Sequence, residues 1–346
     1  MDWSCPAPQD GASGVVTLAV GEGGRLSRKF LREHILDKFC DPCLGELGDA
    51  AVLPTLEGSP VLTTDSFVVS PLEFPGGNIG KLAAYGTAND LAVAGARPKW
   101  MSVALVLEEG LPLELLDRML LSLRDAAVES GVVVVAGDTK VVPRGAADRL
   151  FITTTGLGER LSPAIVGPRS LVEDDVLIVT GPIGQHGFAV LAARSDLQVQ
   201  PPPQSDCAAL WPAVESLWKA GVTPRAMRDA TRGGVAAVLH EWAIASGKTL
   251  SIESAGVPTT PAVSGLSELL GIDPLHVANE GTMLVAVPAS LADATLAALR
   301  STEVARHSVV IGRVEKRGFS PVTVRRALGR AQPLDDPAGA PLPRIC

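Results

Sequence analysis

Cysteine is scarce and odd in number. Five residues in 346 (Cys5, Cys40, Cys43, Cys207 and Cys346) cannot close a disulfide framework. Cys40-Asp41-Pro42-Cys43 has the spacing of half a zinc site or a redox pair, but no second pair completes it. Long apolar runs are missing: nothing approaches the roughly 18 to 20 uninterrupted residues that a bilayer span needs. The start of the chain, with Asp2, Gln9 and Asp10, lacks the positive start and apolar middle of a signal peptide. A soluble, cytoplasmic protein with no membrane contact is therefore expected. A dense basic run is missing too. Lys plus Arg number 30 against 38 Asp plus Glu, a net charge of −8, which excludes a nucleic-acid footprint. No Walker A pattern is present, so any nucleotide must be held by another device.

Apolar side chains are plentiful, 46% of 346 residues, enough for two domains with a core each. Strand-like and helix-like runs alternate, so the expected class is α/β. Residues 1–14 read as a leader, and 15–20 as a short strand running into Gly21-Glu22-Gly23-Gly24, which opens a helix towards Phe39. Residues 61–64 read as a strand ending on Asp65. Pro75-Gly76-Gly77-Asn78 then introduces a helix of small residues in which Gly80 and Gly86 permit close packing. Leu113, Leu116, Leu120, Leu123 and Ala127 recur at three- and four-residue steps, predicting one buried helical face; Gly131 stops it before a strand at 132–136. Strands at 150–155 and 176–180 flank a connector, which places an N-terminal domain at 15–160 and a C-terminal domain at 170–318. In the second, Asp229 precedes Gly233-Gly234 and a helix, and 284–287 and 309–311 supply strands. The glycine turn 181–187 carries His186, read as a solvated loop residue.

The remaining segment, 319–346, reads as a flexible tail. From Gln332 to Cys346 it holds four prolines and two aspartates, a stiffened and extended composition that reaches up to ~45 Å when stretched. A thiol at its end, Cys346, is pinned from one side alone, which points to a carrier arm rather than a core or disulfide role. Acidic residues meanwhile recur beside glycine or at strand ends: Asp49 after Gly48, Asp65 after Thr64, Asp90 after Asn89 and Asp138 after Gly137. Carboxylates approach a nucleotide triphosphate only through bound cations, and hard oxygen ligands of this type suit Mg²⁺. The glycine-rich turns at 21–24 and 76–77 offer backbone N–H groups to phosphate oxygens. Together these elements describe a nucleotide-using α/β enzyme.

Several stretches carry a resemblance. Thr64-Asp65-Ser66-Phe67, Pro75-Gly76-Gly77-Asn78-Ile79-Gly80-Lys81-Leu82, Asn89-Asp90-Leu91-Ala92, Gly137-Asp138-Thr139-Lys140, Arg228-Asp229-Ala230-Thr231-Arg232-Gly233-Gly234, Val277-Ala278-Asn279-Glu280-Gly281 and Pro343-Arg344-Ile345-Cys346 are similar to the HypE family of hydrogenase maturation proteins. The likeness covers nearly the whole chain. It implies the aminoimidazole-ribonucleotide-synthetase-like fold, a homodimer formed through the N-terminal domains, and an ATP cleft closed by the C-terminal domain. It also implies a carbamoyl dehydratase. A carbamoyl group delivered by the carbamoyltransferase HypF onto the Cys346 thiol becomes a thiocyanate at the expense of ATP, and the cyanide passes to iron on the HypC–HypD complex.

Carried over residue by residue, the resemblance gives Cys346, Lys140 and Glu280 the chemistry. Lys140 and Glu280 would remove protons from the amide nitrogen or stabilise charge there. It gives Gly23, Gly24, Asp49, Asp65, Asn89, Asp90, Asp138 and Asp229 to the nucleotide, with Mg²⁺ on Asp49, Asp65, Asp90 and Asp138. One departure stands out: the family's loop His-Gly-x-Gly-Gly begins here with Val20. Two rival readings remain. Selenophosphate synthetase uses ATP similarly, but its reactive residue lies near the N-terminus in a glycine-flanked loop, a setting that Cys5-Pro6 lacks. A non-enzymatic carrier of the cyano group would show no ATP turnover dependent on carbamoylated Cys346.

Overall fold

The computed structural model describes residues 14–39, 48, 50–195, 199–326, 329–336, 339, 342 and 344–346. Asp49, Cys5, Cys40 and Cys43 lie outside the described residues, and so do the expectations attached to them.

The N-terminal domain is built on four strands: β1 (Pro60–Phe67), β4 (Ala96–Glu108), β5 (Val133–Val142) and β6 (Leu150–Arg160), in the order β1-β6-β4-β5. Only β4 and β5 run parallel. A two-residue ladder, β2 (Glu73–Phe74) with β3 (Gly77–Asn78), leads into the first long helix. Met101, Val103, Leu105 and Leu107 of β4 face inward and are nearly fully buried, while Ser102, Ala104 and Val106 between them face outward. That alternation was readable in the sequence, yet the central strand is absent from the expectations above. Two helices, α2 (Ile79–Val93) and α3 (Leu113–Glu129), cover the inner face. Asn78 caps α2 by accepting from Lys81 N–H at 3.0 Å. Gly80 lies so close to α3 that an added Cβ would sit 2.0 Å from the Met119 carbonyl. Leu116, Met119, Leu120 and Leu123 form the expected buried face of α3.

Among the described residues nothing covers the β1–β6 part of the sheet's outer face. Thr64 and Thr155 share a hydroxyl contact at 3.0 Å there, Ser66 and Thr153 another at 2.9 Å, and Leu62 is 70% exposed. Upstream, α1 (Gly24–Phe30) runs through a π-helical stretch, Leu31–Leu36, into Asp37–Phe39. The strand expected at 15–20 does not form. Val15 makes a single bridge to Pro112, and Leu18–Val20 closes a 3-10 turn with Gly21 N–H on the Leu18 carbonyl.

The C-terminal domain holds a seven-stranded sheet in the order β13-β12-β9-β11-β7-β10-β8. Its strands are β7 (Val176–Val179), β8 (Ala226–Asp229), β9 (Thr249–Glu253), β10 (Met283–Val287), β11 (Val309–Glu315), β12 (Val322–Arg325) and β13 (Ala331–Pro333). The helices are α4 (Gln185–Ser195), α5 (Trp211–Lys219), α6 (Gly234–Ser246), α7 (Pro261–Leu270) and α8 (Ala292–Arg300). Phe188, Val190, Val263 and Val277 of this domain share one core with Phe67, Phe74 and Ile79 of the other, so the two halves meet across a continuous apolar seam.

The segment read as a tail from 319 onward is in part sheet. Val322 and Val324 are fully buried and pair in parallel with β9, and β13 closes the edge. The alternation Val322-Thr323-Val324-Arg325 outweighs the prolines that follow it. The described end of the chain is docked rather than loose. Leu342 and Ile345 are 6% and 4% exposed and belong to the shared core. Burying an aliphatic side chain of that size contributes about 1.5–3 kcal/mol, so two such side chains suffice to seat a segment otherwise poor in apolar residues. Three of the protein's five histidines hold carbonyls of this segment: His240 on Leu334, His276 on Asp335 and His186 on Ile345.

Candidate active site

Cys346 ends in a cavity of about 40 Å³ lined by Asp65, Asp90, Asp229, Arg232 and Glu280. Each arrives on a different element. Asp65 is on β1, Asp90 on the last turns of α2, Asp229 at the end of β8, and Arg232 in the turn before α6. Glu280 sits just before β10, held in place by Asp206. The two oxygens of that carboxylate accept the Glu280 and Gly281 N–H groups at 3.1 Å each. Gly281 is required there: a Cβ would lie 1.8 Å from the Asp206 carbonyl. Asn279 adds a second fastening, accepting from Gly184 N–H and donating to the Ala230 and Val277 carbonyls.

Burial and neighbouring acids raise the proton affinity of Asp65, Asp229 and Glu280. Burial, then repulsion from and a hydrogen bond with Asp90, push Asp65 up to about 6. Burial and Asp90 push Asp229 up to about 7. Glu280 is raised well above the ordinary carboxylate range by burial and by Asp229, Asp206 and Asp65, with Arg232 pulling part of the way back. The Cys346 thiol is pushed up to about 12, first by burial and then by Glu280. Asp90 takes a hydrogen bond from Thr63 Oγ1 at 2.7 Å. The pocket thus holds more negative charge than it can carry ionised, the condition in which a cation or an abstracted proton is welcome.

Asp138 and Lys140 are elsewhere. Asp65 faces Thr154, Thr154 faces Val103 and Val103 faces Gly137, so Asp65 and Gly137-Asp138 in β5 lie on one row at opposite edges of the sheet. Three strand spacings put them about 14 Å apart. Lys140 is paired with Asp138 at 3.1 Å, and both side chains are more than half exposed. Within one chain, therefore, Lys140 and Glu280 do not flank a common atom, and Asp138 does not share a centre with Asp65 and Asp90. Asn89 also departs from expectation. It is 1% exposed, donates to the Ala208 and Glu280 carbonyls and accepts from Leu210 N–H, which makes it a fastener between α2 and the 206–210 segment rather than a wall of either cavity.

A larger cavity, about 310 Å³, opens beside Asp138, with Gly21, Gly23, Leu31, Phe39 and Leu105 among its walls. Gly23 and Gly24 have φ of +84° and +78°, with open space where a Cβ would stand. Ser27 Oγ, at the cavity wall, is buried without a hydrogen-bond partner. Apolar walls, free backbone at a helix start and an orphaned hydroxyl are features that fit a nucleotide. Among the described residues no three His, Cys, Asp or Glu side chains gather closely enough to hold a metal by themselves.

The functional residues that sequence reasoning missed are Asp206, Arg232 and His186. Asp206 contacts a backbone 74 positions away, and no local pattern announces such a partner. Arg232 stood in a quoted motif without a role. His186, expected in solvent, is fully buried. Its position before a Gly-Phe helix start is the one local signal that it faces the domain seam.

Comparison with known proteins matches residues 47–160 to the AIR synthase related protein N-terminal domain and 172–325 to the AIR synthase related protein C-terminal domain. Carbamoyl dehydratase HypE of Escherichia coli (strain K12) is 44% identical over 338 residues, covering 96% of this chain and 99% of that one. A crystal structure of the hydrogenase maturation protein HypE in complex with ATP superposes with a TM-score of 0.89 at 40% identity, covering 95% of this chain and 99% of that one. HypE in a HypE–HypF complex superposes at 0.78 and 40% identity, covering 89% and 99%. The chain belongs to the HypE family of carbamoyl dehydratases.

Proposed function

We propose that this protein carries a carbamoyl group on Cys346 Sγ and dehydrates it to a thiocyanate with ATP and Mg²⁺, as a donor of cyanide for the iron centre of a nickel-iron hydrogenase. The observation that supports this best is the place of Cys346, whose side chain lines the same cavity as Asp65, Asp90, Asp229, Arg232 and Glu280. In balance, the carbamoyl thioester loses its amide oxygen to phosphate and its two nitrogen-bound protons to bases, leaving S–C≡N, ADP and phosphate. ATP, when bound, supplies the phosphoryl group that turns the amide oxygen into a leaving group.

The chain's own residues do the rest. Glu280 takes a proton from the amide nitrogen in its ionised form, which Arg232 and a bound cation favour against burial and the neighbouring acids. Arg232 faces the developing negative charge. Asp65 and Asp90 fit a hard cation that completes its shell with phosphate oxygens and water, the usual manner of Mg²⁺. A thiol pushed up to about 12 is a poor nucleophile, so the docked Cys346 is not the form that accepts the group. Acceptance from HypF takes place with the segment undocked, and delivery to the HypC–HypD complex likewise. Seating by two aliphatic side chains and a few hydrogen bonds keeps such exchange affordable.

A homodimer supports the reading further. The uncovered sheet face, with Leu62 and the threonine ladder, needs a partner, and its two edges carry the two separated halves of the expected site. Two copies pairing through these faces set Asp138 and Lys140 of one against Asp65 and Glu280 of the other. The experiment is intact mass spectrometry of the protein after carbamoylation by HypF and then addition of Mg²⁺-ATP. Loss of one water from an adduct mapped to Cys346 is expected; an adduct on another residue, or one that keeps its water, contradicts the proposal.

A further inference from the structure

The last three residues are clamped from both sides: the chain turns at Arg344, where φ is +52°, and Ile345 and Cys346 follow. On one side the Cys346 carbonyl accepts from Val68 N–H at 3.2 Å and the Arg344 carbonyl from Ser70 N–H at 3.4 Å. The carbonyl between them, on Ile345, points the other way and meets His186 Nε2 at 2.6 Å. One side of the clamp belongs to the N-terminal domain and the other to the first turn of α4 in the C-terminal domain.

The protonation of that imidazole can be read from its neighbours. Ser205 Oγ accepts from Cys207 N–H at 3.2 Å, so its own proton is free to point at His186 Nδ1, 2.9 Å away. Nδ1 is then the acceptor and Nε2 carries the hydrogen, the tautomer that donates to Ile345. Burial, outweighing the pull of the Ile345 carbonyl and of Asp206, lowers the ring's proton affinity and keeps it neutral. Phe74 packs edge-on against it at 5.2 Å and 85°, so the ring cannot swing away without opening the seam between the domains.

Backbone pairing with residues 68–70 is blind to sequence. Arg344 is held besides by its guanidinium on the Val68 carbonyl and on Asp148 and by Arg194 on its carbonyl, whereas the Ile345 carbonyl, next to Cys346, is held by His186. We propose that His186 is a positioning residue for the reaction: its Nε2–H holds the end of the terminal segment in place so that Cys346 Sγ, and the group it carries, stands among Asp65, Asp229 and Glu280. The inference rests on the dehydration reading for its catalytic consequence, but not for its effect on docking. Ser205 acts behind it by holding the tautomer.

Alkylation of Cys346 by iodoacetamide, quantified on its terminal peptide, reads the undocked fraction without any chemistry at the cavity. His186→Leu removes the donor, and one hydrogen bond of ordinary strength predicts about tenfold faster alkylation. His186→Gln places an amide N–H near the position of Nε2 and is expected to return the rate to within about threefold of the parent. Ser205→Ala, which leaves the ring but frees the tautomer, falls between them and keeps the test alive should His186→Leu fold poorly. In carbamoylated protein, conversion to the nitrile slows in His186→Leu, while acceptance from HypF, which uses the undocked segment, is not slowed. Parent-like alkylation in His186→Leu, or equal impairment in Leu and Gln, overturns the inference. Absence of nitrile in the parent protein itself overturns the dehydration reading and leaves the alkylation result to decide the role of His186.

Discussion

The two hollows of this protein differ in kind. The larger, near 310 Å³, has apolar walls, open glycine backbone and, among the described residues, one acid, Asp138. The smaller, near 40 Å³, packs four acids, an arginine and a thiol. Shape and free N–H groups recognise a ligand, whereas crowded charge changes what protons and leaving groups do. Under the proposed reading, binding and chemistry belong to different places in one chain and meet when a ligand or a second copy spans them.

Glu280→Gln is the sharpest way to break that division. Gln has the shape of the protonated acid that burial and the neighbouring carboxylates already favour, so the fold and the larger hollow are untouched. Nitrile formation should fall by about 10²–10⁴, with carbamoylated protein accumulating and nucleotide affinity within about threefold of the parent. Quench-flow mass spectrometry checks it; parallel loss of nucleotide binding would merge the two hollows into one function.

Asp65→Asn and Asp138→Asn probe opposite edges of the same sheet. Each weakens Mg²⁺-ATP by about tenfold, since a neutral amide offsets less phosphate charge. When the two inactive variants are unfolded and reassembled together, a site composed across two copies predicts partial recovery, because mixed dimers contain one unmutated cleft. No recovery would place the whole site within a single chain.

The residues of both hollows were in large part legible from sequence, as Gly23 and Asp138 in the first and Asp65, Asp90, Asp229, Glu280 and Cys346 in the second show, whereas their settings were not. Glycine turns at 21–24, the strand leading to Asp65, the acid after Gly137 and the cap at Asn78 are local signals, and they formed nearly where expected. Glu280 was named from a resemblance, but its setting depends on Asp206, its neighbour only in space. Asn89 looked like a ligand because it precedes Asp90; its side chain is consumed by backbone 119 and 121 positions away. The terminal segment was read from its prolines as flexible, and the two buried side chains that seat it, Leu342 and Ile345, are too few to register as a pattern.

Asp229→Asn separates stability from activity in the charged hollow. A carboxyl raised to about 7 contributes its full stability below its unfolded value of 3.8 and loses it as the pH rises through 7. The amide carries no such penalty, so in the absence of nucleotide the variant should be more stable than the parent at pH 8, on the order of 2–4 kcal/mol, and no more stable at pH 4. Thermal unfolding at the two values checks the sign. Ser27→Ala gives the smallest effect: removing a buried hydroxyl that has no partner among the described residues raises the stability of the nucleotide-free protein by about 1 kcal/mol, a shift near 2 °C, and weakens nucleotide affinity by no more than about tenfold.

The central claim is that the thiol of Cys346, seated among the acids, bears the group that becomes a nitrile. Infrared spectroscopy tests it most directly. Protein charged by HypF from ¹³C-labelled carbamoyl phosphate and then given Mg²⁺-ATP should show a nitrile band that moves with the label, is lost in Cys346→Ala and is nearly lost in Glu280→Gln. A labelled nitrile band that persists in Cys346→Ala would contradict the account.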